Sequence, residues 1–115
     1  MNKEYKVKST KMISPKYEDT LGILNRTIEE FEFPYGTNKV SSVFQENKSL
    51  RKVILPETIS ELEGMCFYNC ENLTVVEYKG TVSQWNNIYK GFSCFYGSGV
   101  TEINCIDGTV SVEAA

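Results

Sequence analysis

The chain has 115 residues, 41% of them hydrophobic and 23% charged, with a net charge of -3. That composition fits one folded domain and excludes a disordered chain. The acidic balance (pI ≈ 5.0) and scattered basic residues give no footprint for a phosphate backbone, and the absence of histidine removes the commonest general base and imidazole metal ligand.

Residues 1–12 are polar, with Lys3, Lys6, Lys8 and Lys11 spread along them. They lack the apolar segment of a secretory signal and are expected to form a loose leader. No run approaches the length of a membrane span, so a cytoplasmic protein without a membrane partner is expected. An N-terminal helix is predicted over 13–27. Ser14 suits the N-cap, Pro15 the first helical position, and Leu21, Leu24 and Ile28 fall on one face. Such a helix would cover the open end of whatever follows.

Residues 28–79 carry an internal repeat. Ile28, Phe31 and Phe33 share an apolar pattern with Leu50, Val53 and Leu55, with Leu73, Val76 and Tyr78, and with Val100, Ile103 and Cys105. The starts are 22, 23 and 27 residues apart. In each copy the last two positions are two apart and point to one face of a strand. One such unit cannot bury its apolar face alone, so stacked coils with a parallel ladder are predicted. Between the strands, Pro34 and Pro56, Val40 and Leu62, Phe44 and Phe67, and Asn47 and Cys70 hold matching places.

Residues 80–115 depart from the pattern and are expected to close the fold. Thr81 to Ile88 suggests a short helix capped by Thr81 or Ser83, with Trp85 and Ile88 packed inward. The stretch from Gly91 to Gly99 reads as a glycine loop. Asp107-Gly108 is a turn dipeptide, and Thr109 to Val112 suggests a last strand.

The run Leu50, Val53, Leu55, Pro56, Leu62, Phe67, Cys70 and Leu73 resembles the BspA-like, bacterial surface-antigen type of leucine-rich repeat. Thr27 to Pro34 resembles a first repeat of that family. Gly80-Thr81, Trp85, Ile88, Ile103-Asn104-Cys105 and Asp107-Gly108 resemble its closing unit. Asn47 stands where the family usually has cysteine. The resemblance implies an α/β fold: a short leucine-rich-repeat solenoid with a thin parallel β-ladder, an N-terminal helix and an irregular C-terminal cap. It also implies residence in gut bacteria or their phages and a non-catalytic role. It further implies that Cys70 and Cys105 pack or hydrogen-bond inside the coil.

The candidate chemistry is sparse. Cys66, Cys70, Cys94 and Cys105 lack the knuckle spacing of a zinc site, so no metal or other cofactor is expected. In an oxidising medium a Cys66–Cys70 or Cys94–Cys105 disulfide is the alternative. Stacking would align Glu30, Lys52, Val75 and Glu102 in one outward column, and Glu32, Ile54, Glu77 and Asn104 in a second. Glu32 and Glu77 do not make an enzyme pocket: the face between them is flat, and paired-carboxylate catalysis needs a cleft. Ile54 and Val75 instead form an apolar centre ringed by Glu30, Glu32, Lys52 and Glu77, the build of a protein interface. Phe92, Phe95 and Tyr96 either anchor a partner or fold back over the coil. The expected function is binding of another protein, as a free-standing inhibitor of a host defence enzyme or as an attachment module. Homodimerisation through the coil ends is a further option.

Overall fold

The computed structural model describes residues 28–112. The predicted leader (1–12) and N-terminal helix (13–27) lie outside the described residues. The elements in order are β1 (Glu30–Glu32), β2 (Lys39–Val40), a 3-10 turn (Ser42–Phe44), β3 (Lys52–Leu55), β4 (Glu61–Leu62) and β5 (Val75–Tyr78). Then follow α1 (Val82–Asn86), β6 (Tyr89–Lys90), β7 (Glu102–Cys105) and β8 (Gly108–Ser111).

Each coil gives one strand to each of two sheets. The larger runs β1-β3-β5-β7-β8 and the smaller β2-β4-β6. All pairings are parallel except β7 with β8. Phe31, Val53, Val76 and Ile103 occupy one rung after another, each fully buried. The alternation in the sequence dictates this register, because a slip by one residue would turn every apolar side chain to solvent. Val40 and Leu62 do the same for the smaller sheet. Side chains of this size contribute roughly 1.5–3 kcal/mol each when buried.

A third line of stacking closes the coils. Phe44 lies 6.1 Å from Phe67, and Phe67 lies 5.6 Å from Phe95, measured between ring centroids. The stretch from Gly91 to Gly99, read from sequence as a loop, is therefore the turn of a third coil. Backbone bonds tie it to the second: Met65 N–H donates to Phe92 O (2.9 Å), Phe67 N–H to Cys94 O (2.9 Å) and Asn69 N–H to Tyr96 O (2.8 Å). Its glycine has a structural reason. Glu46, Asn69 and Gly97 hold the same place in successive coils, with φ of 62°, 56° and 82°. The turn needs a left-handed residue at each level.

The closing segment matches the sequence in outline. Thr81 caps α1 through a capping box: its hydroxyl accepts from Gln84 N–H (3.0 Å), and Gln84 Oε1 accepts from Thr81 N–H (2.8 Å). Trp85 and Ile88 are buried. The last strand starts one residue earlier than predicted, at Gly108, because the Asp107-Gly108 turn folds straight back on β7. Asp107 Oδ1 also accepts from Val82 N–H at 2.8 Å, fastening this turn to α1.

Candidate functional site

The register decides which outward side chains are neighbours. Glu30 lies beside Lys52 and Lys52 beside Val75. Glu32 lies beside Ile54, Ile54 beside Glu77, and Glu77 beside Asn104. Ile54 and Val75 are half-buried.

The charges around them are paired. Lys52 Nζ is 3.6 Å from Glu77 Oε2, and Lys79 Nζ is 2.9 Å from Glu32 Oε2. Ile54 thus lies between two ion pairs. Pairs this open to water add at most about 1 kcal/mol of stability. Their effect is to hold four long side chains as a rim around an apolar spot. Glu32 and Glu77 each face a lysine, with the Ile54 strand between them, and they share no cleft.

Two members of this surface escape a reading of the sequence. Lys79 follows β5 and continues its outward alternation by one step, which is the available signal. Tyr35 carries no signal beyond following Pro34. It is 78% exposed and lines a shallow cleft of about 150 Å³ with Glu32, Phe33, Pro56, Glu57 and Lys79. Glu32 and Lys79 belong to both cleft and strand face, so the two are continuous.

The aromatic cluster divides. Phe95, a candidate binding anchor by sequence, is a core residue, stacked on Phe67 and only 8% exposed. It fills the slot that Phe44 and Phe67 fill below it. Phe92 and Tyr96 project outward, 71% and 54% exposed, with Tyr96 stacked on Tyr68 at 5.9 Å.

The four cysteines are free thiols. Cys70 Sγ donates to Phe44 O at 2.9 Å, a link between coils, and burial pushes this thiol up to about 11. Cys66 interacts with Cys94 and less strongly with Cys70, and Cys105 sits apart on β7. Among the described residues, no three histidine, cysteine or carboxylate side chains gather as a metal site, and no helix is long and apolar enough to cross a membrane.

Stacked coils with a repeated spacing of Phe, Cys or Asn and Leu in the first two turns, and a stacked Phe95 in the third, are the decisive geometry. A family model described as BspA type leucine rich repeat region (6 copies) matches residues 24–114. The chain belongs to the BspA-type leucine-rich-repeat family. No curated protein and no solved structure matches it. BspA-type repeats are in general protein–protein interaction modules, typically non-catalytic. In this member the larger sheet has five strands, against three in the smaller.

Proposed function

We propose that this BspA-type chain binds a partner protein through the outward face of its larger sheet and performs no catalysis. The observation that carries the reading is the pair Ile54 and Val75, set on adjacent strands and rimmed by Glu30, Glu32, Lys52, Glu77 and Lys79. An apolar centre inside a charged rim supplies desolvation at the middle and orientation at the edge. Four of the rim charges are already paired to each other, Lys52 with Glu77 and Lys79 with Glu32. A partner with complementary charges can exchange those pairs at small cost, which favours specificity over raw affinity. The rigid ladder beneath keeps the face pre-formed, so little ordering entropy opposes binding.

The test compares the chain with an Ile54→Asp, Val75→Asp double variant, each immobilised and exposed to bacterial host lysate. A protein retained by the parent and lost by the variant, at unchanged thermal midpoint, supports the strand face. The captured protein's identity then separates a defence-enzyme inhibitor from an attachment module. Equal retention by both would move the interface to Phe92 and Tyr96, whose exposure is the one observation favouring a second surface. Retention of nothing, from lysate or cell surface, would reject the binding function.

A further inference from the structure

Cys66 and Cys94 hold equivalent places in successive coils. Each immediately precedes the stacked phenylalanine of its turn, Phe67 and Phe95. The flanking rungs are fixed by Met65 N–H to Phe92 O and Phe67 N–H to Cys94 O, both 2.9 Å. Their next neighbours, Tyr68 and Tyr96, stack within 17° of parallel. Side chains one rung apart on such a ladder start about 4.8 Å from each other. That separation lies inside the span a disulfide bridges, about 4.4–6.8 Å between Cα atoms. The two thiols interact electrostatically with one another.

The pair is also asymmetric. Cys66 is fully buried; Cys94, only 5% exposed, lines a cleft of about 260 Å³ together with Trp85, Lys90, Phe95, Val110 and Val112. Lys90 Nζ is fixed at the rim of that cleft, donating to Trp85 O (2.8 Å) and Ile88 O (3.0 Å) and lying 5.0 Å from the Trp85 ring centroid. Lys90 has no carboxylate partner among the ion pairs of the described residues, and its charge acts on Cys94. The hydrogen bond from Cys66 holds the Cys94 thiol below its ordinary range against the opposing effect of burial, with Lys90 adding to it. Burial keeps Cys66 well above that range and protonated.

We propose that Cys94 is a modification site for small hydroperoxides entering this cleft, and that Cys66 resolves the product as a Cys66–Cys94 disulfide. The Cys94 thiolate attacks one peroxide oxygen. A sulfur–oxygen bond forms, the oxygen–oxygen bond breaks, and the departing oxygen takes a proton to leave as water or alcohol. The Cys66 sulfur then attacks the sulfenic sulfur. The disulfide forms and hydroxide leaves, protonated by the hydrogen that Cys66 gives up. Two thiols are oxidised and one peroxide is reduced. The bridge would staple the second coil to the third at the wall of the cleft.

The test treats the full chain, folded and reduced, with one equivalent of hydrogen peroxide, followed by intact mass and non-reducing peptide mapping. The expected result is loss of two hydrogens, a fall in free thiols from four to two, and one cross-linked peptide pair joining Cys66 to Cys94. Reduction by a dithiol restores the starting mass. In Cys66→Ser the reaction stops at a Cys94 sulfenic acid that a cyclic diketone traps. A bridge between any other pair in the parent chain would overturn the proposal. So would oxidation on Cys70 or Cys105 with Cys94 untouched, or four free thiols under conditions that oxidise the urea-unfolded chain.

Discussion

Asn47 and Cys70 occupy one position in successive coils and satisfy the turn differently. Asn47 Oδ1 accepts from Ser49 N–H (2.7 Å) and Leu50 N–H (3.0 Å), while Cys70 donates to the coil before it. Asn47→Ala would leave the buried Leu50 N–H without its acceptor, at an expected cost of about 1–3 kcal/mol in urea unfolding. A change within experimental error would show that water replaces the amide. At this scale the sequence was informative wherever a residue's neighbours are set by period alone. Phe31, Val53, Val76 and Ile103 were predicted to lie one above the next, and they do. The ion pair of Glu32 with Lys79 was not legible, because Lys79 lies beyond its strand and reaches back across an intervening coil.

Among the elements, the second and third coils approach closely at Gly64 and Gly91. A Cβ added to Gly91 would lie 2.6 Å from Gly64 Cα, against backbone that cannot yield. A Cβ on Gly64 would meet the Phe92 ring at 2.9 Å, an exposed side chain able to swing away. Gly91→Ala is therefore expected to cost about 1–3 kcal/mol, and Gly64→Ala markedly less. Thermal unfolding of the two variants side by side checks this, and equal losses would mean that the coils separate easily at this point. The third coil was the element hardest to read. Leu73 and Val100 are 27 residues apart where Leu50 and Leu73 are 23. The helix α1, Val82–Asn86, is inserted in that longer coil. It shifts Phe95 out of the 23-residue phase that joins Phe44 to Phe67, so its equivalence was hidden until the rings were seen stacked.

The core of the whole molecule can be probed with alkali. An unfolded thiol gives up its proton near 9.0, but folded Cys70 holds it until about 11. Stability present below 9.0 is therefore lost as pH rises through that window, because ionisation favours the unfolded chain. Cys66, Cys105 and Tyr78 are shifted upward too, each chiefly by burial, and steepen the loss. Cys94, lowered by its bond from Cys66, and Lys90, lowered by burial, act in the opposite sense. The urea midpoint should stay level at neutral pH and fall between 9.0 and about 11, less steeply in Cys70→Ala. A parallel fall in both chains would assign the slope to other groups.

The reversal at β8 bears on how such chains change length. Every strand from β1 to β7 in the larger sheet points the same way, and β8 alone runs against them. A coil offered to its outer edge would have to dock with opposite polarity, so the array resists extension there. Tandem duplication of an internal unit, such as the 23 residues from Leu50 to the residue before Leu73, meets no such barrier. It would enter between β3 and β5 in unchanged phase and widen the exposed face by one strand. Lineages of this architecture can then grow from the middle outward while their terminus stays constant, each insertion redrawing what the surface recognises.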